Sequence, residues 1–198
     1  MLKRVFDFIS AFLGLLFLSP LLLVVALWIK FDSKGPIFFR QERIGLHGTP
    51  FRIHKFRSMS VNTEKSSRLT IGNDARITKA GHFIRKYKID ELPQLIDVLI
   101  GSMSLVGPRP EVAEFMNRYD PITREKILSV RPGITDWASI QMIDENEILG
   151  QYDNPKQAYI DIIMPMKSEY YISYAESHTF HEDLKIIFAT IFKILKRQ

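Results

Sequence analysis

The feature that most constrains this chain is an apolar run at its N-terminus, from Val5 to Ile29, interrupted mainly by Asp7 and Pro20. As a straight helix the run would be roughly 37 Å long at about 1.5 Å per residue, enough to span a bilayer core of about 30 Å. It is too long for the apolar part of a cleaved signal peptide, and no small-residue cleavage site follows it. The run therefore predicts a membrane segment.

Ser19 and Pro20 lie near the middle of this run. Pro20 cannot donate a hydrogen bond to the carbonyl of Leu16, and its ring crowds that turn, so we expect a kink. The hydroxyl of Ser19 could satisfy the freed carbonyl. This pair predicts a helix that is broken at Ser19-Pro20.

Basic residues flank the run on both sides, Lys3 and Arg4 before it and Lys30 and Lys34 after it. Basic residues favour the cytoplasmic side of a membrane, so a spanning helix would leave one pair outside, whereas a re-entrant hairpin would keep both pairs inside. Because proline kinks also occur in ordinary spanning helices, both topologies stay open at this point.

The rest of the chain predicts an α+β fold that is mostly helical. Two short strands, 36–39 and 51–56, flank a turn at 46–49 and predict a small β-hairpin. Helical spacing of apolar residues predicts helices over 77–87, 91–100, 121–128 and 155–174. The polar stretch 61–74 predicts a loop.

The last helix is predicted over 183–196, with an apolar stripe that includes Leu184, Ile187 and Ile191 beside several lysines. A basic amphipathic helix of this kind can lie in a membrane interface. The alternative is a terminal helix that packs on the core, as most such stripes do.

The acidic pair Asp90-Glu91 precedes the stripe of the 91–100 helix, with Pro93 in its first turn. Simple N-capping by Asp90 is the ordinary interpretation. The same position favours phosphate, and an ionised Asp there could attack phosphorus. Glu91 adds a hard oxygen ligand, which suits Mg²⁺ bridging a phosphate.

Cations surround this pair in the sequence, and the formal net charge of +5 fits an anionic partner: nucleic acid, anionic lipid or a phosphorylated substrate. Arginine's planar fork matches phosphate oxygens, and flanking prolines stiffen its loop. Each cation alone could equally be a solvated surface charge. The candidate phosphate-binding residues are Lys55, Arg57, Arg85, Arg109 and Arg131. The chain has no cysteine, which excludes disulfides and thiolate metal sites.

Taken together, eight segments resemble the bacterial sugar transferase family, the monotopic phosphoglycosyl transferases. They are Arg4-Val5-Phe6-Asp7, Leu18-Ser19-Pro20, Gly35-Pro36-Ile37-Phe38-Phe39, Gln41-Glu42-Arg43-Ile44-Gly45, Lys55-Phe56-Arg57-Ser58-Met59, Asp90-Glu91-Leu92-Pro93-Gln94-Leu95, residues 101–110 from Gly101 to Pro110, and Arg131-Pro132-Gly133-Ile134-Thr135. The match is collinear over nearly the whole chain.

The resemblance implies a re-entrant membrane helix in residues 1–34, broken at Ser19-Pro20, and a cytoplasmic catalytic domain in residues 35–198. It implies that Asp90 is a nucleophile, that Glu91 helps to hold Mg²⁺, and that a sugar-1-phosphate passes from a UDP-sugar to a polyprenyl phosphate, undecaprenyl phosphate being expected, with release of UMP. The five cations would bind substrate phosphates or support the site.

The resemblance also implies that the protein lies at the bacterial inner membrane and binds membrane lipid but not nucleic acid. A homo-oligomer is compatible with this resemblance. The chain resembles a minimal form without the large N-terminal membrane domain of longer relatives. It departs from them after Thr135, where Asp136-Trp137-Ala138 replaces the family's Gly-x-Ala.

Two alternatives remain open beside the covalent enzyme. One is a membrane-tethered module that binds anionic lipid or nucleic acid without catalysis, which leaves the Asp90-Glu91 pair unexplained. The other is direct transfer through a ternary complex, in which Asp90 acts only as a base or a metal ligand.

Overall fold

The computed structural model describes residues 2–61, 74–142 and 145–196. The polar stretch predicted as a loop lies mostly outside these residues. The fold is α+β and mostly helical, as predicted. The helices are α1 Leu2–Asp32, α2 Lys79–Lys86, α3 Gln94–Ile100, α4 Ala113–Met116, α5 Pro121–Leu128, α6 Trp137–Gln141, α7 Glu145–Leu149, α8 Pro155–Ala158, α9 Met164–Ser177 and α10 Phe180–Lys196. The strands are β1 Phe38–Phe39, β2 Glu42–Ile44, β3 Pro50–Arg52, β4 Lys55–Phe56, β5 Ser104–Val106 and β6 Gly133–Thr135.

The predicted hairpin is confirmed, with more strand pairing than the sequence indicated. β1 pairs with β4 and β2 pairs with β3, both antiparallel, and the chain turns through residues 45–49 between β2 and β3. His47 adopts a left-handed φ of 53° in this turn. The hairpin carries Lys55 at the start of β4, where the strand returns toward the helices.

A parallel pair that no local pattern predicted joins β5 to β6. The two backbones meet where Gly107 follows β5 and Gly133 begins β6. A Cβ atom on Gly133 would lie 2.1 Å from the amide nitrogen of Gly107, so only glycine allows this approach. The close contact fixes the start of the loop that carries Arg109.

α1 is one uninterrupted helix of 31 residues that contains Pro20. Ser19 Oγ donates a 2.8 Å hydrogen bond to the carbonyl of Leu16, the acceptor that Pro20 leaves without its usual donor. The expected break at Ser19-Pro20 is therefore not an interruption of helical structure. The re-entrant course of the segment stays a prediction.

The surface of α1 is largely apolar and uncovered. Phe12, Phe17, Leu23 and Phe31 are among its many exposed large side chains. α1 is long and apolar enough to cross a membrane, and little of it is buried in the protein. A core helix of a water-soluble domain would be mostly buried, so this exposure fits contact with lipid.

The first turns of α1 are nevertheless anchored to the folded body. Asp7 is only 2% exposed, and its carboxyl accepts hydrogen bonds from Ser104 Oγ at 2.8 Å and the Leu105 amide at 3.2 Å. Arg4 donates to the carbonyl of Val98 at the end of α3. Lys3 pairs with Asp183 of α10 at 2.8 Å. The contacts of Asp7 explain why a charged residue occurs inside the apolar run.

The last turns of α1 contact the same body at another place. Val25 and Ile29 pack in a buried cluster with Phe56 of β4 and Ala80 and Ile84 of α2. Ile89, which precedes Asp90, packs against this cluster. The end of α1 therefore packs in the cluster that supports Ile89, next to Asp90. Both ends of α1 contact one folded unit.

α8 and α9 form one long helical segment through a π-helical stretch at Tyr159–Ile163, which agrees with the helix predicted over 155–174. α10 begins at Phe180, slightly before the predicted start. Its Asp183 and Ile186 are buried, whereas Phe188, Phe192 and Leu195 are exposed. One face therefore packs on the core, as the core-packing alternative predicted, while a place of the uncovered face in a membrane interface stays a prediction.

Candidate active site

Asp90 lies in a short 3₁₀ turn, Ile89–Glu91, and not at the N-terminus of a helix. α3 begins only at Gln94, with Pro93 at its N-cap position. The expectation that Asp90 caps a helix starting at Glu91 is therefore wrong, because the turn places its side chain elsewhere. Lys88 precedes the turn with a φ of 57°, the left-handed region that costs a residue with a Cβ about 1–2 kcal/mol.

The two carboxylate oxygens of Asp90 have different surroundings. The residue is 3% exposed, and Oδ2 lies 3.0 Å from the ammonium of Lys55. Oδ1 is buried and has no hydrogen-bond partner. Buried polar atoms in native proteins are nearly always paired, so an orphan oxygen beside a charged partner needs an explanation such as a missing ligand or a catalytic role.

Glu91 is held by two cations. Its Oε1 accepts from Lys55 Nζ at 3.0 Å and from Arg109 Nη2, and its Oε2 accepts from Arg109 Nη1 at 3.3 Å. Burial alone would raise the pKa of Glu91, but Arg109, Lys55 and Lys88 outweigh it and hold that pKa well below its usual range. Glu91 in turn raises the pKa of Arg109. The pair is therefore fully ionised at neutral pH.

Lys55 is the residue that joins the two acids, since its ammonium lies 3.0 Å from both Asp90 Oδ2 and Glu91 Oε1. Its position depends on the neighbouring His54. The backbone amide and ring Nδ1 of His54 lie 2.7 Å from the two carboxylate oxygens of Asp97, on α3. This link fixes the start of β4 to α3, and so fixes Lys55 over the acidic turn.

Arg109 is placed by contacts on both sides of it in the chain. Gly107 donates its amide to Thr135 of β6 at 3.1 Å. The guanidinium of Arg43 donates to the Pro110 carbonyl at 2.9 Å. The flanking prolines restrict φ, so the loop has little conformational freedom. The guanidinium of Arg109 is thereby oriented for its bidentate contact with Glu91.

The structure does not bring Arg57 to the acidic pair. Its guanidinium donates to the Ser33 carbonyl at 2.8 Å, to the Ile29 carbonyl at 3.4 Å and to the Lys34 carbonyl. These carbonyls lie in the last turn of α1 and in the two residues that follow it, where helical hydrogen bonding ends. Of the two roles expected for Arg57, support of the site's architecture matches these contacts.

Arg85 and Arg131 also lie away from the acids. Arg85 Nη1 is 3.5 Å from Ser58 Oγ, and Arg131 Nε donates to the Gly101 carbonyl at 2.9 Å, at the C-terminus of α3. The structure therefore brings together four of the expected residues, Asp90, Glu91, Lys55 and Arg109, and gives the other three cations protein partners elsewhere.

Lys88 is the residue of this site that the sequence did not reveal. Lys88 is exposed overall, yet desolvation beside the acids lowers the pKa of its ammonium, Glu91 and Asp90 oppose that shift, and Arg109 and Lys55 add to it. Its backbone bonds to Arg85 and Glu91, but its ammonium makes no ion pair or hydrogen bond with any residue that the structure describes. Its place directly before Ile89-Asp90 was visible in the sequence, but the left-handed backbone that turns it toward the site was not.

The acids suit a magnesium ion only together with a phosphate-bearing ligand. Within residues 2–61, 74–142 and 145–196, no three His, Asp or Glu side chains form a metal cluster. Mg²⁺ is, however, commonly held by one or two carboxylates plus substrate phosphates. Glu91 is held ionised and supplies such hard oxygens next to Asp90 in the chain, so it fits Mg²⁺ that is bound with a diphosphate.

Comparison with known proteins identifies the family of the chain. Residues 1–197 match the family described as Bacterial sugar transferase. The chain is 40% identical over 196 residues to the UDP-glucose:undecaprenyl-phosphate glucose-1-phosphate transferase of Escherichia coli (strain K12), covering 98% of this chain and 40% of that protein. It is 43% identical over 143 residues to the UDP-N-acetylgalactosamine-undecaprenyl-phosphate N-acetylgalactosaminephosphotransferase of Aeromonas hydrophila, covering 70% of this chain and 34% of that protein.

A shorter relative is matched over most of its length. The chain is 37% identical over 194 residues to the uncharacterized sugar transferase EpsL of Bacillus subtilis (strain 168), covering 98% of this chain and 87% of that protein. By contrast, the chain spans about 40% of the length of the Escherichia coli relative. The match over essentially all of its residues shows that the chain belongs to the bacterial sugar transferase family.

Proposed function

We propose that this chain transfers a sugar-1-phosphate from a UDP-sugar to a polyprenyl phosphate at the cytoplasmic face of the bacterial inner membrane, and that Asp90 is the nucleophile. Two relatives are named for transfer from UDP-glucose or UDP-N-acetylgalactosamine to undecaprenyl phosphate, which supports these substrate classes. Family membership also favours a transferase over a nucleic-acid-binding module. The observation that carries the proposal is the buried, unpaired Oδ1 of Asp90.

In the first step Asp90 attacks the phosphorus that bears the sugar. A bond forms between that phosphorus and the carboxylate oxygen, the bond to the bridging oxygen breaks, and UMP leaves with the electron pair. Lys55 keeps Asp90 oriented through Oδ2, which leaves Oδ1 available. Arg109 and Lys88 offer positive charge for the phosphate oxygens as negative charge builds up on them.

In the second step a phosphate oxygen of the polyprenyl phosphate attacks the same phosphorus. The polyprenyl diphosphate sugar forms, the acyl phosphate bond breaks, and the Asp90 carboxylate is restored. Bound Mg²⁺ would neutralise charge on the diphosphate, with Glu91 as its protein ligand. These five residues supply the remaining charge balance, since the two carboxylates of Asp90 and Glu91 lie among the cations Lys55, Lys88 and Arg109.

The membrane segment supports this placement. As a straight helix, α1 would be about 46 Å long, longer than a bilayer core of about 30 Å. Yet its Lys3 contacts Asp183 and its Ile29 packs with Phe56, so both ends contact the same folded body. A segment that enters and leaves on one face keeps both sets of contacts, which supports the re-entrant course.

The test is UMP release by the purified protein in detergent with Mg²⁺ and a panel of UDP-sugars, beginning with UDP-glucose. A covalent route gives UMP without acceptor, up to the amount of enzyme present, and intact-protein mass spectrometry shows one added sugar phosphate. Asp90→Asn should abolish both signals while keeping the fold. Asp153→Asn, at an exposed position, is the matched control.

Two outcomes would contradict the covalent route. Strict dependence of UMP formation on the lipid acceptor would favour direct transfer through a ternary complex. A mass adduct that persists in Asp90→Asn would assign the nucleophile to another residue.

A further inference from the structure

A largely apolar groove of about 280 Å³ opens beside the candidate active site. Its walls include Leu92 and Leu95 before and within α3, Leu105 of β5, and Ile187 and Ile191 of α10. Its volume is slightly below that of most ligand pockets, which are roughly 300–1,000 Å³. The proposed reaction uses Lys88, Glu91 and Arg109 at one end of this groove but leaves its apolar walls without a role.

The hydroxyl groups in the groove wall are already hydrogen-bonded within the protein. Thr135 Oγ1 lies 2.7 Å from Thr190 Oγ1, and Thr190 donates to the carbonyl of Ile186 at 2.8 Å. Ser139 Oγ donates to Asp136 at 2.7 Å. A uracil base or a sugar needs unpaired donors and acceptors around it, whereas a hydrocarbon chain does not. The wall therefore suits a hydrocarbon.

The charged part of the lining belongs to the active site. Lys88, Glu91 and Arg109 all line the groove, and the Lys88 ammonium has no partner among the residues that the structure describes. Lys193 adds an exposed ammonium on α10. Since Glu91 is already paired with Arg109, the unpaired cations favour an anionic head group at this end.

The groove can be reached from an apolar phase. α10 forms one wall through Ile187 and Ile191, while Phe188 and Phe192, on its other side, are 69% and 66% exposed. Such an exposed apolar face on a helix with lysines fits the membrane interface. A lipid could thus slide from the bilayer past Ile191 into the groove without its hydrocarbon crossing water.

We propose that this groove binds the hydrocarbon segment next to the phosphate of the acceptor lipid, with the phosphate at Lys88, an inference that rests on the proposed function. The cavity holds only that first segment, and the rest of the polyprenyl chain stays in the bilayer. The acceptor phosphate then reaches the Asp90 site along the groove, from the side of α10.

The test is photo-crosslinking with a benzophenone-bearing farnesyl phosphate on the protein in lipid nanodiscs, with adducts mapped by mass spectrometry. Adducts should fall on groove residues such as Leu95, Ile187 and Ile191, and undecaprenyl phosphate should compete them away. The matching benzophenone alcohol, which lacks the phosphate, should label these residues more weakly. Adducts confined to α1 or to Phe188 and Phe192, or adducts insensitive to competition, would overturn the proposal.

A blocking variant gives a second readout. Ile191→Trp should fill the opening and lower the crosslink yield at least roughly tenfold, because displacing even two methylene-sized groups from apolar contact weakens binding by that order. It should raise the KM for the acceptor similarly while leaving acceptor-independent UMP release unchanged. Phe188→Trp, on the outward side of the same helix, should behave like the wild type.

The two proposals can fail separately. Crosslinking needs no catalysis, so groove adducts in a protein without transferase activity would refute only the proposed function. Normal crosslinking and an unchanged acceptor KM in Ile191→Trp, with full UMP release, would refute only the groove.

Discussion

Asp7 offers the most direct test of how the membrane helix is joined to the folded body. Asp7→Ala removes the acceptor for two donors, Ser104 Oγ and the Leu105 amide, and leaves both in a buried site. A buried donor without a partner costs about 1–3 kcal/mol, so the loss should be about 2–6 kcal/mol. This is a large part of the stability of an ordinary domain, about 5–15 kcal/mol.

For a chain of this size each kcal/mol lowers Tm by about 2–4 °C, so Asp7→Ala should unfold at least roughly 4 °C earlier. Thermal unfolding of the purified protein in one detergent, followed by circular dichroism, measures this. Asp7→Asn should lose less, because its amide oxygen can still accept from Leu105 and its amide nitrogen can donate to Ser104.

The control is Ile9→Ala, because Ile9 is 51% exposed on the same helix and should face detergent. It should change Tm little. If Asp7→Ala unfolds at the same temperature as Ile9→Ala, the carboxyl group does not anchor α1, and the contact-based account of the membrane helix fails. An Asn variant that is less stable than the Ala variant would equally contradict the reasoning.

Three further predictions concern the site and the membrane segment. Arg109→Lys should keep the fold and membrane association yet lose most transferase activity, since lysine cannot make the bidentate contact to Glu91; near-normal turnover would refute this role. Glu91→Gln should reduce UMP release and raise the Mg²⁺ concentration needed for half-maximal rate, because one anionic ligand is lost; an unchanged Mg²⁺ dependence would assign the metal elsewhere. Because the chain has no cysteine, single cysteines at Leu2 and Gln151 can be labelled in sealed inverted vesicles, and both should react from the cytoplasmic side; opposite sides would establish a true spanning helix.

Much of the local structure could be predicted because its causes are local. The hairpin followed from two apolar strand segments around a glycine-containing turn, and α10 followed from its stripe at helical spacing. Ser19 pairs with the carbonyl freed by Pro20, as expected, because the two positions lie on the same turn of α1. The acidic pair was recognised from its motif and neighbours.

What the sequence could not reveal depends on contacts between distant residues. Arg57 looked like a phosphate ligand in its motif, but it contacts the carbonyls at the end of α1, and nothing near it in the sequence indicates that partner. The pairing of β5 with β6 joins segments nearly thirty positions apart. Lys88 joins the site through a left-handed backbone, which is uncommon for lysine and has no sequence signal here.

The contacts of α1 also set a timing problem during synthesis. The start of α1 leaves the ribosome long before the residues it contacts. Leu105, a partner of Asp7, follows 98 positions later, and Asp183, the partner of Lys3, follows 180 positions later. At about 5–20 residues per second, Asp7 waits roughly 5–20 seconds for its donors and Lys3 waits roughly 9–36 seconds for Asp183. During that interval the start of α1 must stay near the membrane interface, where water can solvate Lys3 and Asp7. Lys3 can pair with Asp183 only after α10 has been made.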